Sequence, residues 1–106
     1  MKWVCKVCGK VMESDSRPLA CPLCGVHGDY IVVEKDFRGF PKELKQKSKD
    51  NLNAALSLER NATNLYSRFA KECKELGDAE AATMFTALAR VEAGHQLCIK
   101  KMLEAA

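Results

Sequence analysis

The chain has 106 residues, of which 47% are hydrophobic and 29% charged, and its formal net charge at pH 7 is +3. This composition is typical of a globular protein and excludes general disorder, while the small net charge indicates no extended nucleic-acid surface. No charged start followed by an apolar stretch opens the chain, and no apolar run approaches membrane length, so we expect a cytoplasmic protein without a membrane partner.

Residues 1–33 are predicted to form a small β-type metal knuckle. Residues 5–9 and 21–25 each contain a C-x-x-C-G motif, and short apolar runs nearby suit short strands. Paired cysteines in a chain without an export signal favour metal binding over disulfides. From spacing alone, four thiolates in two tight turns suit Zn(II) and Fe equally well. The predicted ligands are Cys5, Cys8, Cys21 and Cys24.

Residues 34–47 are predicted to be a linker. The composition becomes charged here, and Gly39 and Pro41 interrupt regular structure. Lysines concentrate in residues 42–49, which we interpret first as a solvated segment and second as a docking patch for an acidic partner.

Residues 48–106 are predicted to form an antiparallel helix hairpin. Ser48 is a suitable N-cap for the first helix, Gly77 supplies its C-terminal stop, and Asp78 caps the second helix. So short a connection between two amphipathic helices requires that they pack against each other.

Three polar side chains interrupt the apolar faces of these helices. Heptad spacing directs Glu59 of the first helix and Glu92 and His95 of the second towards the interior. Each alone is more simply explained, as an edge carboxylate or a hydrogen-bonded core histidine. Together they match half of a di-iron carboxylate bundle, which uses single glutamates and Glu-x-x-His motifs. Tyr66 lies two turns from Glu59, where its hydroxyl can hold a ligating carboxylate or its ring can simply fill the core.

The N-terminal motifs resemble those of the rubredoxin family. Lys2-Trp3-Val4 leads into the first cysteine turn, the second turn has the pattern C-P-x-C-G, and Tyr30 is the aromatic residue that follows. This resemblance implies an iron that cycles between Fe(II) and Fe(III). Only twelve residues separate Cys8 from Cys21, far fewer than in free-standing rubredoxins, and such short versions occur in rubrerythrins.

Nearly the whole chain outside the linker resembles the rubrerythrin family. The helical motifs that carry this resemblance are Ser48-x-x-Asn51-Leu52, Glu59-x-x-Ala62-x-x-x-Tyr66 and Glu92-Ala93-Gly94-His95. Rubrerythrins carry two such helix pairs, whereas this sequence has one, with the rubredoxin-like part in front instead of behind. The resemblance therefore implies a homodimer that completes a ferritin-like four-helix bundle, with a di-iron site shared between two chains. Ala62 replaces the extra glutamate that rubrerythrins use for redox-linked ligand movement, so we do not expect that feature.

The same resemblance implies a non-haem di-iron peroxidase. Such an enzyme reduces hydrogen peroxide to water with electrons relayed through the rubredoxin-type iron from an external donor, either a reductase or a rubredoxin-type protein. Glu59, Glu92, His95 and Tyr66 are the predicted catalytic residues. One alternative is a ferroxidase or iron-handling protein, and another is a zinc-knuckle helical interaction module without redox activity.

Overall fold

A computed structural model describes residues 1–39 and 43–105 of the chain. The architecture is a small three-stranded sheet followed by two long helices. The strands are β1 (Lys2–Cys5), β2 (Val11–Glu13) and β3 (Ile31–Val33), and the helices are α1 (Gln46–Glu75) and α2 (Ala79–Ala105). Two short 3-10 turns flank β3, at Gly28–Tyr30 and Glu34–Asp36. The predicted combination of a β-type knuckle and a helix hairpin is confirmed, while Pro41 lies outside the described residues.

The four-cysteine unit, residues 1–33, is built on an antiparallel sheet with strand order β2-β1-β3. In the central strand β1, Val4 pairs with Val11 on one side and Val32 on the other. The hydrophobic core beneath the sheet consists mostly of cysteines, with Cys5, Cys8, Cys21 and Ile31 buried. The unit therefore buries little aliphatic surface, and the cysteines make up most of its core.

Gly77 ends the first helix at the turn between the helices, as the sequence predicted. Gly77 has a φ of +84°, which suits a residue without a Cβ. The Gly77 N–H donates to the Lys74 carbonyl and the Asp78 N–H donates to the Cys73 carbonyl, which together form a Schellman motif. The last carbonyls of α1 are thereby satisfied, and α2 begins directly after Asp78.

Helix α1 begins earlier than predicted. Its first helical residue is Gln46, after Lys45, so Ser48 lies inside the first turn instead of capping it. Nothing between Lys45 and Ser48 interrupts a helix. The Gln46 side chain also donates to the Asp50 carboxylate at 2.9 Å, which supports the first turn.

The hairpin has a thin core. Leu56 is the one large hydrophobic side chain buried in the described parts of the two helices. Ring contacts to Phe85 from Tyr66 and Phe69, with centroids 6.2 and 5.4 Å away, add to the helix packing. Helical periodicity in the sequence predicts that Val91 of α2 points inward, but it is 51% exposed, because it lies beside the line of residues that meets α1. Neither helix in the described part of the chain is long and apolar enough to cross a membrane.

Candidate metal centres

The four predicted cysteine ligands converge in the four-cysteine unit. The Sγ atoms of Cys5 and Cys24 are 3.7 Å apart and those of Cys8 and Cys21 are 3.6 Å apart. A disulfide would bring two sulfurs to about 2.05 Å. In a tetrahedral site with metal–sulfur bonds of about 2.3 Å, neighbouring sulfurs lie about 3.8 Å apart. The sulfur positions of this four-cysteine centre therefore fit a single tetrahedral metal ion, as in a rubredoxin-type iron site.

Two glycine turns shape the centre. Gly9 and Gly25 have φ values of +80° and +82°, which a residue with a Cβ rarely adopts. The Gly9 N–H donates to the Cys5 carbonyl and the Gly25 N–H to the Cys21 carbonyl, both at 2.9 Å. These bonds close each C-x-x-C segment into a tight turn, so both cysteines of each turn face the same point.

The protein environment shifts the pKa values of the cysteine thiols in different directions. Burial raises the pKa of Cys8, and it raises that of Cys24 to about 11. Burial also acts on Cys21, but hydrogen bonds from the backbone amides of Cys24 and Leu23, followed by the thiol of Cys8, outweigh it and lower the pKa of Cys21 to about 7. Amides directed at a sulfur stabilise the thiolate, which is the form that binds a metal.

The three predicted helix ligands also meet, in what we call the carboxylate centre. His95 Nδ1 in α2 lies 3.6 Å from Glu59 Oε2 in α1 and 3.8 Å from Glu92 Oε2. One potential ligand atom from each residue lies within 4.8 Å of the others. The three side chains are 34%, 24% and 21% exposed for His95, Glu59 and Glu92 respectively.

Glu59 provides a test of whether a cation fits there. Its Oε2 atom is buried and has no hydrogen-bond partner among the described residues. The 3.6 Å separation from His95 Nδ1 is too long for a hydrogen bond. A buried acceptor left unsatisfied costs about 1–3 kcal/mol, and more when it is charged. Carboxylate oxygen and imidazole nitrogen suit an iron ion, and its binding would remove this cost.

Two hydrogen bonds that sequence analysis did not predict connect Gln96 of α2 to the backbone of Glu59 in α1. The Gln96 side chain donates to Thr63 Oγ1 at 2.7 Å, and Thr63 Oγ1 donates to the Glu59 carbonyl at 2.8 Å. These bonds join α1 to α2 directly beside the carboxylate centre. The sequence spacing could have indicated this connection. Thr63 lies one helical turn after Glu59, and Gln96 directly follows His95.

Tyr66 packs against Phe85 in the hairpin, two helical turns after Glu59 in α1. Its ring stacks on that of Phe85 with an interplanar angle of 26°. No hydrogen bond joins its hydroxyl to Glu59 or Glu92 within the described ranges. Its predicted role in holding a ligating carboxylate therefore stays a prediction.

The two centres border a common cavity of about 210 Å³. Cys24 contributes from the four-cysteine centre, and Glu59 and His95 contribute from the carboxylate centre. Cys98 and Ile99 of α2 complete the lining. Both ligand sets of one chain are thus neighbours in space.

Comparison with known proteins agrees with both halves of the structure. Residues 3–31 match the family model of the rubredoxin-like domain of rubrerythrin, and residues 50–106 match that of rubrerythrin. The chain is similar to Reverse rubrerythrin-1 of Clostridium acetobutylicum, with 27% identity over 103 residues. That match covers 89% of this chain and 57% of the relative, so the chain spans little more than half of its relative's length. No solved structure matches the chain. With more than half of its residues matched by the family model, the chain belongs to the rubrerythrin family.

Proposed function

We propose that this protein reduces hydrogen peroxide to water at a di-iron site, using electrons relayed through iron in the four-cysteine centre. Family membership supports a redox protein with rubredoxin-type and di-iron centres. The observation that carries the proposal is the position of the two centres around one cavity, with the buried Glu59 Oε2 lacking a hydrogen-bond partner among the described residues. An external donor, a reductase or a rubredoxin-type protein, would supply the electrons.

The di-iron site in this proposal belongs to a homodimer. One hairpin supplies two carboxylates and one imidazole, so two chains supply four carboxylates and two imidazoles. Four carboxylates balance the charge of two Fe(II) ions. Apolar side chains flank the ligands, since Leu58 and Val91 precede Glu59 and Glu92 and are 70% and 51% exposed. A second hairpin packed on this face would cover them.

The reaction consumes one peroxide, two protons and two electrons and yields two water molecules. When bound, the two irons store the two electrons and act as Lewis acids towards the O–O bond. The Glu59 and Glu92 carboxylates would compensate the charge of the metal. His95 would bind it through Nδ1, which lies 3.6 and 3.8 Å from one oxygen of each carboxylate. The Gln96–Thr63 hydrogen bonds keep the Glu59 backbone in place while the charge at the site changes. We place the protein in the cytoplasm, where reducing conditions keep four thiols available for metal.

Two other functions use parts of the same structure. A ferroxidase uses the same carboxylate ligands, but it has no need of an electron relay beside them. A zinc-binding interaction module accounts for the four cysteines but leaves the buried Glu59 oxygen without a cation. The observations in both centres are explained together by the peroxidase.

The decisive experiment is an anaerobic titration of the fully reduced, iron-loaded protein with hydrogen peroxide. A dimer with four reduced irons holds four electrons, so we expect two peroxides to be consumed and water to form without oxygen release. Absorption from Fe(III)–thiolate bonds should appear as the four-cysteine iron becomes oxidised. In a parallel titration with oxygen, rapid iron oxidation combined with little reaction towards peroxide would indicate a ferroxidase. A colourless protein containing only zinc would indicate the interaction module. Either result would refute the peroxidase proposal.

A further inference from the structure

We propose that Gly94 is a positioning residue, which receives Leu23 and thereby holds the four-cysteine centre against the carboxylate centre of its own chain. Electrons would then enter the shared di-iron site from the four-cysteine centre packed on the same hairpin. This electron route rests on the proposed function, whereas the contact that supports it does not.

The contact accounts for a glycine in the interior of a long helix. Gly94 is buried although its neighbour Ala93 is exposed, and a Cβ on Gly94 would lie 3.0 Å from Leu23 Cδ1. Favourable contacts between carbon atoms are about 3.5–4.0 Å, so a larger residue would push Leu23 away. Glycine costs about 1 kcal/mol of helix stability relative to alanine. Close approach of Leu23 to the helix backbone is the feature that offsets this cost.

Leu23 is part of the metal-binding turn itself. It lies between Cys21 and Cys24, and its backbone amide is one of the groups that lower the pKa of Cys21. Its side chain packs against the buried cysteine core. A displacement of Leu23 from Gly94 would therefore move the turn that carries two of the four sulfur ligands.

On the α2 side, the contact adjoins residues of the carboxylate centre. Gly94 precedes His95 in α2, and Cys98, one turn later, packs against the core of the four-cysteine unit. Cys24 and His95 line the same cavity. The Leu23–Gly94 contact thus lies next to residues that line the cavity between the two ligand sets of one chain.

The electron transfer involves no bond making or breaking. With iron in both centres, one electron would pass from Fe(II) held by the four thiolates, which becomes Fe(III), to Fe(III) held by Glu59, Glu92 and His95, which becomes Fe(II). The external donor then reduces the four-cysteine iron again. Because the rate of electron transfer falls steeply with distance, the contact between Leu23 and Gly94 would control this rate.

The contact can be tested by NMR without any redox chemistry. Protein with zinc in the four-cysteine centre would be prepared as a mixture of ¹³C-labelled and unlabelled chains. We expect a nuclear Overhauser effect between the Leu23 methyls and the Gly94 α-protons within a single labelled chain. An effect that joins labelled to unlabelled chains, or the absence of any effect, would overturn the inference. Because this result does not depend on peroxide reduction, it separates failure of this inference from failure of the proposed function.

The positioning role can be tested with a compensating pair of substitutions. Gly94→Leu should slow reduction of the carboxylate-centre iron by the four-cysteine iron on the order of tenfold or more, with both irons retained. Adding Leu23→Ala should restore much of the rate because it makes room for the new side chain. Ala93→Leu, at the exposed neighbouring position, serves as the control and should leave the rate unchanged. An unchanged rate in Gly94→Leu, or no recovery in the double variant, would refute the role. If Gly94→Leu does not fold, the NMR measurement on the unaltered chain decides the question.

Discussion

His95 Nδ1 in α2 lies 3.6 Å from Glu59 Oε2 in α1, across the interior of the hairpin. This pair brings a nitrogen and an oxygen donor together without a hydrogen bond between them. With Glu92 at 3.8 Å from the same nitrogen, the arrangement leaves room for a cation among three ligand atoms. A cation among these atoms would offset the cost of placing each polar side chain in the interior of the hairpin.

Replacing His95 with alanine should remove the iron of the carboxylate centre and spare the four-cysteine iron. Loss of one direct ligand should reduce the iron content from about two to about one per chain, because a dimer's di-iron pair is shared between two chains. Elemental analysis gives the content, and Fe(III)–thiolate absorption reports the remaining iron. His27→Ala is the control, since that histidine is 71% exposed and far from the carboxylate centre in sequence. Full iron content in the His95 variant would disprove the ligand assignment.

Much of this arrangement was predictable because local patterns determine it. The C-x-x-C-G turns need only neighbouring residues, and the Schellman turn at Gly77 likewise forms from adjacent positions. Helical periodicity placed Glu59, Glu92 and His95 on facing surfaces, and the hairpin brought them together. Sequence analysis therefore predicted which residues meet in both centres, and their role as metal ligands stays a prediction.

Contacts between distant segments were not predictable in the same way. The approach of Leu23 to Gly94 depends on how the four-cysteine unit lies on α2, which no local pattern encodes. The bond from Gln96 to Thr63 likewise depends on the relative rotation of the two helices. The start of α1 was also not predictable. Ser48 is a good capping residue, but the helix begins at Gln46 because the residues before Ser48 also accept helical geometry.

Replacing Cys8 with serine should separate electron supply from peroxide chemistry. The variant should lose the Fe(III)–thiolate colour and continuous turnover, because one of four sulfur ligands is missing. Its chemically reduced carboxylate centre should still be oxidised by peroxide in a single turnover, as measured by rapid mixing. Cys73→Ser, at a cysteine outside both ligand sets, should retain colour and turnover. Loss of the single turnover in the Cys8 variant would contradict the division of tasks between the centres.

Metal binding to the four-cysteine centre should release protons. Because the pKa values of Cys8 and Cys24 are raised by burial, both are thiols near pH 7 in the metal-free protein. Their thiolates are the ligands, so binding should displace at least two protons and weaken as the pH falls. Calorimetry in buffers of different ionisation enthalpy measures the number released. Fewer than two protons at pH 7 would contradict the raised pKa values.

Thr63→Val should weaken iron binding although Thr63 is not a ligand. The variant removes the hydroxyl that accepts from Gln96 and donates to the Glu59 carbonyl. Among the described residues, the longer bond of 3.4 Å from the Gln96 side chain to that carbonyl then remains as its side-chain support. Because the lost bond is to the Glu59 backbone and not to its carboxylate, we expect metal affinity to fall by at most about tenfold, the lower end of the range for groups bonded directly to a ligand. Competition with a chelator measures the affinity of the carboxylate centre. Thr86→Val is a matched control, because Thr86 makes the same bond to the carbonyl four residues earlier but is exposed. Equal effects of the two substitutions would show that only the helix, and not the site, had been perturbed.

Leu58→Glu should separate the proposed dimer and remove iron from the carboxylate centre in one step. Leu58 is 70% exposed in the single chain and adjoins Glu59, while Leu65, 42% exposed, lies two turns further along the same side of α1. Burial of these side chains against a second hairpin is favourable, and a carboxylate placed there would have to be buried without a partner. Light scattering should show the dimer converting to a monomer, and elemental analysis should show that the four-cysteine iron alone is retained. Leu19→Glu, at an 88% exposed leucine of the four-cysteine unit, should leave both assembly and iron content unchanged. A folded Leu58→Glu monomer that still held the full iron content would show that one chain completes the site by itself, and the shared di-iron centre would then be wrong.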